Sequence, residues 1–172
     1  MDVRQAGIEF LELKGVIQNT QVLDFTLEAL SAYTKEEFFY IPASNSGKYH
    51  PGYALGIGGL LRHTKSCLLL AVELFTIHKF KPEVQDYILS ALALHDIEKP
   101  SKTHPIEVKL RLEALRDLKT FCKVIPLIES HMGQFDMYGK LPRPKTRAQK
   151  YVHLVDYLAS RNFIEVNFLS RV

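Results

Sequence analysis

Cysteine and net charge are both scarce in this sequence of 172 residues. Cysteine occurs only at Cys67 and Cys122, both in apolar, helix-like segments. We therefore expect two small core residues in a reducing compartment, and no zinc site built on a cysteine framework. The 22 basic and 19 acidic residues leave a formal charge of +3, which argues against a protein that binds duplex DNA through its overall charge.

Long apolar runs are also missing from the sequence. The longest, Cys67 to Val72, is too short to cross a bilayer. The N-terminal residues 1–15 mix charged and apolar side chains, unlike a signal peptide. We expect a cytoplasmic protein with no membrane partner, and the length together with 47% hydrophobic residues fits one domain over 1–172.

Helical periodicity dominates what is present, and strand signals are limited to FFYI and the tail FIEVNF. The sequence therefore predicts an all-α protein. Asn19 or Thr20 is suited to cap the first clear helix, and Pro82 fits the first turn of a later one. Pro126 is expected to open a short helix. The predicted helical segments are NTQVLDFTLEALSAY, LLRHTKSCLLLAVELFTIH, PEVQDYILSALALHD, HPIEVKLRLEALRDLKTFCKV, IPLIESHM and AQKYVHLVDYLASR.

Two long irregular segments separate these helices. Residues 41–59 hold two prolines and most of the glycines, and residues 133–147 combine glycine, proline and basic side chains. Loops of this length are usually functional, so we expect both to take part in ligand binding.

Two histidines and two aspartates stand where apolar residues would continue the helical pattern. His95 shares a buried helical stripe with its apolar neighbours, Asp96 follows it, Asp156 lies at the inner edge of the last helix, and His63 opens another helix. If they converge, these two imidazoles and two carboxylates suit manganese, iron, cobalt, zinc or nickel better than magnesium, although magnesium stays an option. The alternative is a set of hydrogen-bonded core residues.

Basic side chains near these positions are candidates for binding phosphate. Of Arg62 and Lys65, which flank His63, we expect only one to face the site. The aromatic residues of the loops either stack on a base or anchor the loops. His153, one turn before Asp156, is a candidate to orient that carboxylate or to act as an acid. The remaining candidates are Lys48, Lys140, Arg143, Lys145 and Arg147 for phosphate, and Tyr49, Tyr53, Phe135 and Tyr138 for stacking.

Four strings in order, GGLLRHT, ALALHDIEKPS, ESHMG and HLVDYLASR, resemble the HD superfamily of metal-dependent phosphohydrolases. The resemblance covers about residues 36–161, leaving 1–35 as an N-terminal helical extension. It is closest to the HD domain of bacterial 3′-to-5′ exoribonucleases and to stand-alone bacterial and phage hydrolases, which would place a phage-encoded chain in the host cytoplasm. It implies a helical bundle and assigns the metal ligands to His63, His95, Asp96 and Asp156.

The sequence departs from the family pattern at two places. Where relatives with two ions carry a tandem histidine pair before glycine, this chain has His131 followed by Met132, a poor ligand for a phosphate-binding ion. We expect one firmly held ion, with His131 either completing a weaker second ion site or contacting substrate. His104 is either a further ligand of that second ion or an ordinary loop histidine. Glu98 replaces a usual glycine and is either a general base or an ion-pair partner, while Lys99 matches a family lysine that approaches phosphate.

The expected activity is hydrolysis of a phosphoester in a nucleotide or at a single-stranded nucleic-acid end by a metal-activated water. The residues expected to act in catalysis are Lys99, His131 and Glu98. The alternative is a binding or regulatory module that keeps the HD fold without turnover. The sequence gives no oligomeric state.

Overall fold

The computed structural model describes residues 8–136 and 139–163. Within them the chain forms helices, turns and loops without a strand, which confirms the all-α class. None of the described helices is long and apolar enough to cross a membrane. The α-helices are α1 (Leu13–Val16), α2 (Thr20–Glu28), α3 (Gly59–Leu74), α4 (Pro82–Leu94), α5 (His104–Arg111), α6 (Lys119–Ser130) and α7 (Arg147–Ala159).

Helix α4 runs through the centre of the bundle. It packs against α2, α3, α6 and α7, and every residue from 86 to 98 is buried. A helix that is apolar on all sides requires such a central position. The His–Asp doublet directly follows this helix, so the fold places both side chains in the interior.

The N-terminal segment is fixed to the central helix through a buried carboxylate. Asp86 accepts hydrogen bonds from the backbone N–H groups of Gln18 and Asn19, at 3.0 and 2.9 Å. The Asn19 side chain in turn caps α2 by accepting from Gln21 and Val22, which confirms one of the two predicted caps. The segment before α3 therefore packs into the same core as the other helices.

Three local predictions were wrong. The segment HPIEVKLRLEALRDLKTFCKV does not form one helix: α5 ends at Arg111, a short 3₁₀ helix covers Glu113–Leu115, and α6 begins at Lys119. Pro126 lies inside α6 instead of opening a helix. Because proline has no N–H, Pro126 cannot donate to the carbonyl of Cys122 four residues earlier. Cys122 itself is exposed, so the prediction that it is a core residue is wrong.

The predicted strand FFYI is also wrong, because a 3₁₀ helix spans Glu36–Phe39 and buries Phe38 and Phe39. All but the first residue of the predicted tail strand FIEVNF lie outside the described residues. The segment from residue 40 to 58 is irregular apart from a 3₁₀ turn at Gly52–Ala54. We call residues 40–58 the first loop and residues 131–146 the second loop.

Hydrogen bonds from two different helices hold the first loop in place. The Arg62 guanidinium donates to the carbonyls of Tyr53 and Leu55, and the Tyr53 hydroxyl donates to the carbonyl of Ala159 at the end of α7. The second loop returns closely on itself, since a Cβ at Gly133 would collide with the backbone of Pro142. Both loops are thereby positioned at the end of the bundle that carries the His–Asp doublet.

Candidate metal centre

Imidazole and carboxylate side chains from five helices meet beside the C-terminal end of α4. Each of them comes from a helix end or a buried helix face, so the bundle determines their positions. All are buried except Asp156, whose side chain is 20% exposed. The converging residues are His63 on α3, His95 and Asp96 after α4, His104 at the start of α5, His131 after α6 and Asp156 on α7.

The four residues that the sequence indicated as ligands lie within contact distance of one another. His63 Nε2 is 3.1 Å from Asp156 Oδ1 and 3.8 Å from Asp96 Oδ2. His95 Nε2 is 3.2 Å from Asp96 Oδ2 and 3.6 Å from Asp156 Oδ1. Two imidazole nitrogens and two carboxylates thus surround one point in the interior.

Backbone carbonyls fix the orientation of three of the histidine rings. The Nδ1 atom of His95 donates to the Leu92 carbonyl at 2.7 Å. His131 and His104 donate in the same way to the carbonyls three residues before them, at 2.7 and 2.8 Å. Because a carbonyl oxygen only accepts, the hydrogen is on Nδ1, and each Nε2 faces the cluster. Metal-binding histidines are commonly oriented by this kind of contact.

A second set of ligand atoms lies on the other side of Asp96. His104 Nε2 is 2.9 Å from Asp96 Oδ1, and His131 Nε2 is 3.8 Å from the same oxygen. Burial, with the neighbouring His95, lowers the pKa of His131 to about 3, so its ring is neutral near pH 7. Asp96 therefore has one oxygen toward each set, as a carboxylate between two ion positions would.

The electrostatics of the cluster require positive charge at its centre. Although burial opposes the charged form, Asp96 and Asp156 raise the pKa of His95 to about 10. The Lys99 ammonium lies 2.8 Å from Asp96 Oδ2, and the two carboxylates raise its pKa despite burial. Two buried carboxylates this close together are stable only beside cations.

Several buried polar atoms in the cluster make no hydrogen bond of ordinary geometry among the described residues, although Lys99, His95 and His104 make close ionic contacts with Asp96. These atoms are His63 Nδ1, His95 Nε2 and both carboxylate oxygens of Asp96. Buried polar atoms are normally satisfied, so this concentration at one point suits a site that binds a cation. Nitrogen and carboxylate donors at these distances fit a divalent transition ion.

Two residues that the sequence did not indicate also border the cluster. The thiol of Cys67, one turn after His63 on α3, lies 3.7 Å from His63 Nε2. Burial and the nearby Asp156 and Asp96 raise the pKa of this thiol well above its usual value. The i, i+4 spacing from His63 was the available signal for Cys67, because such residues share one helix face.

His50 reaches the cluster from the first loop. Its ring lies 5.5 Å from that of His63, and its Nδ1 is buried with no hydrogen-bond partner among the described residues. Burial, together with the neighbouring His63 and Lys99, lowers the pKa of His50 to about 4. No periodicity marks a residue in an irregular loop, so only the folded chain reveals this neighbour.

Two of the predicted phosphate-binding residues are engaged elsewhere in the structure. Lys65 points to the N-terminal segment, where it pairs with Glu9 and Glu12 and lies over the ring of Phe10. Arg62 is occupied by the carbonyls of the first loop described above. The expectation that one of the pair faces the cluster is corrected, because both side chains serve to hold neighbouring segments.

Glu98 lies between two cations away from the ligand atoms. Its buried carboxylate contacts the Lys35 ammonium and the Arg111 guanidinium. These contacts tie the segment after α2 to α5. The geometry favours the ion-pair alternative for Glu98 over the general base.

His153 contacts the backbone of the site instead of Asp156. Its Nδ1 donates to the carbonyl of His131 at 2.6 Å, and its ring lies 5.2 Å from that of Phe135. It therefore positions the turn that carries His131. His153 therefore contacts a backbone carbonyl and not the Asp156 carboxylate that it was expected to orient.

Of the remaining predicted basic residues, Lys48, Lys140, Arg143 and Lys145 lie on the loops, whereas Arg147 begins α7 and lies over the ring of Phe80. Lys48, Arg143 and Lys145 are exposed, and Lys48 lies over the ring of Tyr49. None of the three has an ion pair among the described residues, so they stay available to an anion that approaches from solvent. Tyr138 lies outside the described residues.

A cavity of about 370 Å³ opens beside the second ligand set, between the two loops. Lys99 and His104 form its inner wall, and Met132 lines it without joining the ligand atoms. Ser44 and Asn45 contribute from the first loop, and the exposed ring of Phe135 from the second. The volume lies in the range of small-molecule sites.

The fold and the cluster define an all-helical protein with a buried His/Asp centre suited to divalent ions. The profile of the HD domain family matches residues 60–161, which is more than half of the chain, so this protein belongs to the HD domain family. HD domains are generally metal-dependent hydrolases. No curated protein and no solved structure matches the chain.

Proposed function

We propose that this protein is a metal-dependent phosphohydrolase that cleaves a phosphoester bond in a nucleotide or at a nucleic-acid end. The observation that carries the proposal is that Lys99 and His104 both contact Asp96 and both line the cavity between the loops. A phosphate bound there would lie between a fixed ammonium and the ligand cluster. The resemblance of the sequence to exoribonuclease and phage hydrolases favours hydrolysis of a phosphoester. That finer resemblance within the HD family stays a prediction.

His63, His95, Asp96 and Asp156 would hold the principal ion, with His104 and His131 beside Asp96 at a weaker second position. When bound, such an ion lowers the pKa of a water molecule and polarises a phosphoryl oxygen. Lys99 offsets charge that develops on the phosphoryl oxygens, since its raised pKa keeps it an ammonium. The backbone contacts of His95, His104 and His131 keep their Nε2 atoms aimed at the centre.

His50 is suited to orient the attacking water or a substrate oxygen. With a pKa of about 4 the ring is neutral, so it acts through a hydrogen bond and not as a cationic acid. Its place on the first loop puts its ring 5.5 Å from that of His63, next to the ligand cluster.

The size of the cavity favours a compact substrate such as a mononucleotide or the terminal nucleotide of a strand. The exposed ring of Phe135, at 55% exposure, offers a stacking surface at the rim. Lys48, Arg143 and Lys145 on the two loops would attract further phosphates of a longer strand.

The test is a screen of mononucleotides and short RNA and DNA strands with manganese, cobalt, zinc and magnesium, measuring phosphate or nucleotide release. We expect Asp96→Ala to abolish hydrolysis while circular dichroism shows unchanged helicity. The control is Asp117→Ala, because Asp117 is 96% exposed and contacts Arg116, which is not a residue of the cluster. Unchanged turnover in Asp96→Ala contradicts the proposal. Absence of both bound metal and phosphate release in the wild type would favour a binding or regulatory module.

A further inference from the structure

Cys67 places a sulfur atom at the edge of the principal ligand cluster. The residue is fully buried, and its Sγ is 3.7 Å from Nε2 of His63. The ligand atoms of His63, Cys67, His95 and Asp156 all lie within 4.8 Å of one another. We propose that Cys67, whose thiol proton is released to solvent as the ion binds, supplies a thiolate ligand to the ion held by His63, His95, Asp96 and Asp156, which makes this position selective for zinc, cobalt or iron(II) over magnesium.

The distances suit Cys67 as a neighbour of the other ligands around one ion. With metal–sulfur and metal–nitrogen bonds of about 2.3 and 2.0 Å, ligand atoms at tetrahedral angles to one another lie about 3.5 Å apart. The corresponding separations here are 3.7 Å from Cys67 Sγ to His63 Nε2, 3.1 Å from His63 Nε2 to Asp156 Oδ1, and 3.6 Å from His95 Nε2 to Asp156 Oδ1. Small shifts are enough to complete the site.

The helix provides the reason that His63 and Cys67 share one ion. Residues four apart on a helix project from the same face, as in helical zinc motifs in which two histidines at this spacing bind one metal. Both residues are completely buried on α3, and the same face of α3 packs on α4 and α7, which supply the other ligands.

A second observation points to an ion at this position independently of the cysteine. His95 Nε2 is fully buried, faces the same group and makes no hydrogen bond of ordinary geometry within the part of the chain that the structure describes, although it lies 3.2 Å from Asp96 Oδ2 and 3.6 Å from Asp156 Oδ1. A cysteine that only fills space would be expected among apolar side chains. Cys67 instead has a carboxylate and two imidazoles as neighbours.

The thiolate would make the two ion positions chemically different. His95, Asp96 and His131 form the other group of close ligand atoms, which contains only nitrogen and oxygen. Soft sulfur favours zinc, cobalt and iron at the first position, whereas the second accepts harder ions such as manganese or magnesium. This inference rests on the proposed metal-dependent function, because it adds a ligand to the same centre.

Binding of cobalt(II) tests whether Cys67 is a ligand. The full chain, freed of metal and loaded with one equivalent of cobalt, should show a near-ultraviolet thiolate-to-cobalt charge-transfer band together with visible d–d bands. Cys67→Ser should lose the charge-transfer band and keep the d–d bands from the remaining ligands. Cys122→Ser is the matched control and should keep both, because Cys122 is exposed on α6.

Competition between zinc and manganese gives a second readout. Cys67→Ser should shift the ratio of zinc to manganese affinity toward manganese by about tenfold or more, since loss of a direct ligand costs at least as much as loss of an outer contact. Cobalt uptake without the charge-transfer band, or a band that persists in Cys67→Ser, overturns the Cys67 assignment alone. Absence of cobalt uptake by the wild type overturns both this assignment and the proposed metal-dependent function.

Discussion

The Nε2 atoms of His104 and His131 lie 3.3 Å apart, and both face Asp96 Oδ1. Each ring is fixed by a hydrogen bond from its Nδ1 to a backbone carbonyl, so neither nitrogen can turn away without losing that bond. Two imidazole nitrogens and a carboxylate oxygen at these distances are suited to hold a cation, on the other side of Asp96 from His63 and Asp156.

We expect the protein to bind one ion tightly and a second ion more weakly at this position. His131→Ala should remove the second ion and leave the first, because His131 is not among the ligand atoms around His63. Calorimetric titration with manganese, together with elemental analysis after dialysis, measures both. His78→Ala is the control, since His78 packs against Tyr151 outside the cluster. Loss of both ions in His131→Ala would contradict two separate positions.

His50→Gln should lower turnover by about 100-fold, as removal of one positioned hydrogen-bonding group typically does. Metal content should not change, because His50 is not among the close ligand atoms. Steady-state kinetics and elemental analysis on the same preparation separate the two effects. If His50→Gln loses metal and turnover together, His50 is a ligand and not a positioning residue.

Glu98→Gln tests whether this carboxylate acts as a base or as an ion-pair partner. We expect unchanged turnover and a lower midpoint of urea unfolding, because the variant weakens the contacts to Lys35 and Arg111 but leaves the ligand cluster intact. Lys35→Met should lower the midpoint in the same direction. A loss of turnover in Glu98→Gln at full metal content would restore the general-base role.

Asp86→Ala should reduce the free energy of unfolding by about 2 to 3 kcal/mol, because two backbone N–H groups lose a charged acceptor in a buried setting. Hydrogen exchange at Gln18 and Asn19 should accelerate, while exchange in α6 should change only with global stability. Urea unfolding of Asp86→Ala and Asp86→Asn provides the measurement. Equal stability of wild type and Asp86→Ala would show that the N-terminal segment is not held by this carboxylate.

The sequence predicted the helices best where end signals and periodicity agree. Asn19 caps α2 and Pro82 begins α4 as expected, because both effects depend on a few neighbouring residues. The prediction failed at Pro126, where packing of α6 against α4 outweighs the lost helical hydrogen bond. It failed at FFYI for a similar reason, since buried aromatic residues suit a strand and a packed 3₁₀ turn equally well.

The candidate ligands were recognisable because they interrupt apolar helix faces in a family-like order. The ion-pair partners of the charged residues near the ligands could not be predicted, since they depend on which segments pack together. Lys65 and Glu98 sit beside ligands in sequence, yet their partners come from the N-terminal segment and from α5. His50 shows the converse, because a loop far from the doublet in sequence folds back onto it.

The long separation of the ligands along the chain bears on the order of events during synthesis. His63 and Asp156 are 93 positions apart, and the hydroxyl of Tyr53 in the first loop is held by a carbonyl at the end of α7. While α7 is still within the ribosome, the two histidines lack their second carboxylate and the first loop lacks this anchor. A growing chain therefore lacks one of the proposed ligands, Asp156, and one anchor of the first loop until the last helix is complete.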